Sequence, residues 1–229
     1  MVGQAGADIV IGGNSAETIV GALTNDVMMG RGGSDNYLIA SGVTLNDDGS
    51  AGAYGVAGAV INEIGGSSED KSDSINLSSA SNIDQLTFTR TEIKNEYYTN
   101  TLKIEVDYDT NGSVDDTIYV FDHYNQDLGF RAVEQLLLDD GWDSHEIWNL
   151  VVGDTSIKDA YDAGTGITTQ YECDEYTGST GQDILMAGLA ESSVLYGGNG
   201  QDILIGDDLS TYTDDGNFTR ETIFELGTR

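Results

Sequence analysis

Nothing in this chain constrains its fold more than a period of nine residues between positions 3 and 38. Asp8, Glu17, Asp26 and Asp35 stand one period apart. Two places after each acid comes an apolar residue: Val10, Ile19, Met28 and Tyr37. Five places before each comes a glycine: Gly3, Gly12, Gly21 and Gly30. A shorter copy returns between 178 and 205, where Gly197-Gly198-Asn199-Gly200-Gln201-Asp202-Ile203-Leu204-Ile205 reads Gly-Gly-x-Gly-x-Asp-x-apolar-x. A nine-residue unit is too short to bury its own inward side chain, so such units must stack on one another.

The first six residues of each unit form a tight turn, where glycine adopts backbone angles closed to other residues. The last three form a short strand whose middle side chain points inward. Two units make one coil, so acids two repeats apart share an edge: Asp8 beside Asp26, and Glu17 beside Asp35. Bare, such pairs repel; with a hard divalent cation among them they become cross-links, and calcium takes its ligands from carboxylate and carbonyl oxygens. The expected ligands in the first block are Asp8, Glu17, Asp26 and Asp35, with turn carbonyls such as those of Gly30 and Gly32. In the second they are Asp183 and Asp202, with Gly197 and Asn199, so the chain would hold several Ca2+ ions. Between Asp183 and Asp202 the extra residue Ala187 enters and Ser193 takes the place of an acid, so no complete site is expected there, with Glu191 as the acid that could substitute.

Outward positions are also apolar. Position nine reads Ile11, Val20, Met29, Leu38, Met186, Tyr196 and Ile205, and position seven of the second block reads Ile184, Val194 and Ile203. Strands that are apolar on both faces are usually covered on both. The sequence therefore predicts that another part of the chain, or a second copy, packs on the outer face.

These nonapeptides resemble those of the repeats-in-toxin (RTX) family. The resemblance implies a parallel β-roll that binds calcium in its Gly-Gly-x-Gly-x-Asp turns. In that family the repeats accompany type I secretion, stay unfolded at low cytosolic calcium and fold outside the cell. Applied here, it implies a non-enzymatic module of a large secreted protein of bacterial type, extracellular or at the cell surface. Its partners would be calcium, neighbouring RTX blocks of the same protein, or a surface ligand. Two other readings stay open: a ligand-binding segment of a calcium-dependent surface adhesin, and the non-catalytic tail of a secreted toxin or enzyme.

Charge narrows the classes further. Forty acids against nine bases give a net charge of −31, which excludes nucleic acid as a natural partner and opposes docking on anionic membranes. No apolar run approaches the length needed for membrane insertion. The acid excess suits a chain that is disordered without calcium and ordered with it. There is no proline, and Cys173 is the single cysteine. Calcium would then take the stapling role that disulfides have in secreted domains. The chain enters mid-repeat at Met1-Val2-Gly3 and reads as an excised piece of a larger protein.

The expected fold class is all-β: a parallel β-roll (β-solenoid) of nonapeptide repeats plus a small antiparallel β-sandwich. Residues 1–40 form the first block, 41–152 a flanking antiparallel β cap, 153–177 an acidic linker, 178–208 the second block and 209–229 a tail without a clear period. The cap is read from alternating or apolar runs at 86–89, 102–108, 118–121 and 133–138, broken by turns. Its order, Asp-x-Ile at Asp73, Leu-x-Phe-x-Arg from Leu86, a hairpin, then Val-Glu-x-Leu from Val133, resembles the segment that follows RTX repeats and caps the roll. Residues 142–151 read as a short helix with Ile147, Leu150 and Val151 on one side.

The hairpin of the cap carries a second candidate site. Asp107, Asp109 and Asn111 stand at positions one, three and five of an EF-hand-like loop, with Gly112 at six and Val114 at eight. Position twelve is Ile118, so Asp115 or Asp116 would have to close the loop. The same residues also suit a plain Asn-Gly hairpin kept soluble by acids. His123 and His145 lie apart in sequence and read as packing or surface residues. No nucleophile elbow, zinc-binding helix or phosphate-cradling loop is present.

Overall fold

The computed structural model describes residues 1–3, 7–22, 26–40, 58–62, 73–77, 79–93, 98–121, 123, 133–139, 145–151, 154–162, 167–187, 192–206 and 221–225. Among these the fold is all-β, with one 3-10 turn at Ile83–Gln85. The chain divides into two compact units, Met1–Ile147 and Trp148–Arg229.

In the first unit the nine-residue period becomes four short strands: β1 (Ile9–Ile11), β2 (Thr18–Ala22), β3 (Val27–Met29) and β4 (Asn36–Ala40). Successive strands do not pair with each other. Partners lie eighteen residues apart and run parallel, Ile9 opposite Val27 and Thr18 opposite Asn36. Odd and even repeats thus feed two different sheets. The residue two past each acid points inward: Ile19, Met28 and Tyr37 are fully buried and Val10 nearly so. The Tyr37 hydroxyl pays for its burial by accepting the Gly30 N–H at 2.7 Å.

Both sheets continue past the nonapeptides. β5 (Gly58–Ile61) pairs with β3, and β9 (Asp116–Val120) with β5, all parallel. β6 (Ser74–Leu77) pairs with β4, and β10 (Gln135–Asp139) with β6, again parallel. Among the described residues of this unit, β7 (Leu86–Ile93), β8 (Tyr98–Val106) and β9 pair antiparallel. The region expected to be an antiparallel cap is therefore a three-stranded meander grafted on two parallel rows. Its alternating residues Leu86, Phe88, Leu102, Ile104 and Val106 are buried as their period predicts.

Three further expectations are corrected. The predicted helix at 142–151 is, from His145 onward, the strand β11 (His145–Val151). Trp148 and Leu150 are buried while Ile147 is 46% exposed, the alternation of a strand. The predicted linker contains a long hairpin, β12 (Asp154–Asp162) antiparallel to β13 (Ile167–Thr177). The predicted outer cover is absent at Ile11, which is 47% exposed, although Ile184 and Met186 are buried. Position 191 and residues 207–220 lie outside the described residues.

In the second unit residues 148–151 of β11 pair in parallel with β14 (Gln182–Met186), and β14 with β16 (Asp202–Ile205). β13 pairs in parallel with β15 (Ser192–Tyr196), and β15 with β17 (Glu221–Glu225). Tyr176, Leu185 and Leu195 form its buried core, with Leu204 packed against them.

Candidate metal centre

Parallel pairing at a fixed register stacks the acids into columns. In the first unit the Asp8 N–H donates to Asp26 Oδ1 at 2.9 Å. On the other edge the Glu17 N–H donates to Asp35 Oδ1 at 2.8 Å, and the Asp35 N–H to Asp73 Oδ1 at 2.7 Å. The Asp73 N–H then donates to Glu134 Oε2 at 2.8 Å. In return the residue after each later acid donates to the earlier acid's carbonyl: Val27 to Asp8, Asn36 to Glu17, Ser74 to Asp35 and Gln135 to Asp73, at 2.8–3.0 Å. Each rung is thus the same pair of bonds, whether the spacing is 18, 38 or 61 residues.

Asp26, Asp35 and Asp73 are all less than 5% exposed. Several carboxylates stacked at this burial cannot all keep bare charge cheaply. A proton or a cation must offset it. One carboxylate oxygen at each end of the repeat series, Asp8 Oδ2 and Asp202 Oδ1, is buried without a hydrogen-bond partner. Orphaned anionic oxygens of this kind suit a hard cation.

The turns explain the glycine period. The first glycine of each unit lies under its own acid: a Cβ at Gly178 would sit 2.9 Å from Asp183 Oδ2, and one at Gly197 2.7 Å from Asp202 Oδ2. Turn carbonyls of a neighbouring repeat press on the same positions. Gly30 O lies 2.5 Å from a Cβ built at Gly12, and the Ser179 and Gly181 carbonyls bar any side chain at Gly198 and Gly200. These two also carry φ of +88° and +127°, which glycine adopts at least cost. Arg31 occupies the equivalent of Gly198 with φ of +81°. Gly32 and Asn199 use their N–H groups between turns, to Gly13 O and Ser179 O, each at 3.2 Å.

The second unit repeats the rung with different groups. Asp183 lies opposite Asp202, and its N–H bonds the Asp202 carboxyl. Burial, and then the neighbouring Asp183 charge, push the Asp202 carboxyl up from the usual carboxylate range. Opposite Asp183 on the other side stands Asn149. Its Nδ2 donates to Asp183 Oδ1 at 2.8 Å and to Ser179 Oγ at 3.2 Å. The Ser179 N–H donates to Asp183 Oδ2 at 2.7 Å. Asp183 is fully buried and neutral donors surround it. Ser193 is buried on β15, in the other sheet from this column.

The hairpin loop between β8 and β9 brings Asp107, Asp109 and Asp115 together, with one ligand oxygen from each within 4.8 Å of the others. Asn111 is used by the loop itself: its Nδ2 donates to Asp109 at 2.9 Å and its Oδ1 accepts the Ser113 N–H at 2.7 Å. Asp107 accepts the Asn111 and Gly112 N–H groups. Asp115, which accepts the Tyr108 N–H at 2.8 Å, closes the loop. Asp116 instead faces inward at 8% exposure. Burial, followed by the Asp115 charge, pushes its carboxyl up to about 6. The same burial, and then the Asp116 and Asp115 charges, push the Tyr108 phenol above its ordinary range. Asp109 and Asp115 are exposed, so backbone donors and solvent already serve this triad.

His123 is 2% exposed, and burial, then the Arg90 charge, lower its pKa to about 3. It is a neutral packing group.

Sequence reasoning brought Asp8 to Asp26 and Glu17 to Asp35, and missed Asp73, Glu134, Asn149 and Ser179. The signal for two of them was present. Asp73-Ser74-Ile75 and Glu134-Gln135-Leu136 keep the acid-x-apolar triplet of the repeats, and Ile75 and Leu136 are fully buried like Tyr37. Compared with protein-family models and with curated proteins, the chain matches none.

Proposed function

We propose that this chain is a calcium-binding module of RTX type whose parallel rows are the coils of a β-roll. Calcium ions bridge the stacked acids of successive coils. The observation that carries this reading is the column Glu17, Asp35, Asp73 and Glu134, joined by backbone bonds of 2.7–2.8 Å. Folding forces these carboxylates together, and a divalent cation offsets the repulsion that results. Each site at about ten times its dissociation constant would add about 1.4 kcal/mol to stability. Several sites together decide whether a chain with a net charge of −31 folds. The module belongs to a secreted protein of bacterial type, is non-enzymatic, and folds outside the cell where calcium is plentiful.

The test is circular dichroism during a calcium titration, with reversal by EGTA. β signal should rise with calcium and fall on chelation. Asp26→Ala should raise the midpoint, because Asp26 receives the Asp8 N–H and shares its edge. A spectrum indifferent to both reagents would sink the proposal.

A further inference from the structure

The sequence holds two Asn-Gly pairs, Asn111-Gly112 and Asn199-Gly200. Glycine has no side chain to shield its nitrogen, so that nitrogen can attack the amide carbon of the asparagine before it. The two pairs sit in different kinds of turn. Asn199-Gly200 belongs to a stacked repeat turn: the Asn199 N–H donates to Ser179 O at 3.2 Å, and a Cβ at Gly200 would lie 2.0 Å from Gly181 O. Rotation of this backbone would drive it into the neighbouring repeat. Asn111-Gly112 lies at an exposed hairpin tip, and nothing stands within 4 Å of a Cβ built at Gly112.

Around Asn111 the hydrogen bonds match what ring closure needs. The Gly112 N–H, the attacking group, donates to Asp107 Oδ2 at 2.7 Å, a distance at which a carboxylate can serve as general base. Asn111 Oδ1, where negative charge develops, accepts the Ser113 N–H at 2.7 Å, the geometry of an oxyanion donor. Asn111 Nδ2 donates to Asp109 Oδ2 at 2.9 Å. Gly112 has φ of +86°, a conformation that glycine adopts at least cost. The turn therefore calls for the very residue that leaves Asn111 open to attack.

We propose that Asn111 is a self-modification site, at which the amide is converted to a carboxylate through a cyclic imide with Asp107 as base. The Gly112 nitrogen bonds to Asn111 Cγ, and the bond from Cγ to Nδ2 breaks. The Gly112 proton passes by way of Asp107 to the departing nitrogen, which leaves as ammonia. Water then opens the imide to aspartate or isoaspartate. No metal, oxidant or reductant takes part, so the step is independent of the calcium reading above. The product loses the Nδ2 donor to Asp109 and sets a fourth carboxylate beside Asp107, Asp109 and Asp115, whose ligand oxygens already lie within 4.8 Å of one another. The modified loop is looser than the parent.

The test is a timed incubation of the whole chain, in a buffer where circular dichroism shows the β fold, followed by peptide mapping with mass spectrometry at both pairs. Asn111 should convert about tenfold faster than Asn199 or more. In urea the two should convert at similar rates, because the hydrogen bonds that separate them are gone. Asp107→Asn should slow conversion at Asn111 about tenfold or more and leave Asn199 unchanged. If that variant loses the β signal, the comparison of folded with urea-treated parent chain decides. Equal conversion of both pairs in the folded chain, or a difference that persists in urea, overturns the proposal. Asn111→Asp, which carries the product side chain, should unfold at lower urea than the parent, and an unchanged midpoint overturns the loosening.

Discussion

The acid column of the first unit and that of the second share one rung and fill it differently. Glu17, Asp35, Asp73 and Glu134 are carboxylates throughout. In the second column Asn149 takes the place of the first acid, and its amide with Ser179 donates to Asp183. A neutral donor satisfies a buried carboxylate without importing charge. The first column also receives backbone donors, the Gly13 N–H to Glu17 Oε2 among them, but it stacks four carboxylates where the second stacks two. On the calcium reading proposed above, the greater demand for a counter-charge falls on the first unit, and the amide of Asn149 lessens it in the second.

The largest expected effect is chelation itself. Amide hydrogen exchange in EGTA should remove protection from β2, β4, β6 and β10 before β11 and β14. Equal loss in both units would erase the contrast.

Acidity should separate the units next. Asp116 is held at about 6 by burial, above its ordinary 3.8. Because the folded value is the higher one, its contribution is present below about 4 and is lost as pH rises through about 6. The difference corresponds to up to about 3 kcal/mol. In saturating calcium, Asp116→Asn should raise the urea midpoint over that of the parent chain more at pH 7 than at pH 4.5, because only the parent carboxylate loses its proton over that range.

Asp35→Ala removes the acceptor of the Glu17 N–H and should cost about 1–3 kcal/mol in calcium-saturated protein, measured by urea unfolding. Asn149→Asp tests the contrast from the other side. Replacing the amide by a carboxylate should destabilise the second unit by about 1–2 kcal/mol in EGTA and make its stability respond to calcium, read by exchange at β14. A second unit that stays calcium-indifferent would show that the column needs more than an added charge. The smallest effect is Arg31→Gly, which relieves a left-handed conformation and should raise the thermal midpoint by the equivalent of about 1 kcal/mol.

The carboxylates at 8, 17, 26 and 35 were legible because a strict period is itself a statement about neighbours eighteen residues away. Asp73 and Glu134 escaped because the inserted chain destroys the spacing and leaves only the triplet. The hairpin β12–β13 escaped for another reason. Its residues, such as Asp154, Lys158 and Asp162, are polar enough to read as linker, and pairing along nine residues overrides that composition. At Ile147 and Leu150 the apolar spacing fitted a helix face, but pairing with β14 selects the alternation in which Ile147 faces out and Leu150 in.

The sequence alone determined which residues turn, which point inward and that acids must meet, because glycine conformation, side-chain alternation and a fixed period are local properties. Tertiary structure alone decided how far each column runs and what ends it. Parallel pairing acts between strands of any separation, so a column passes through 38 or 61 residues of intervening chain without a trace in the period.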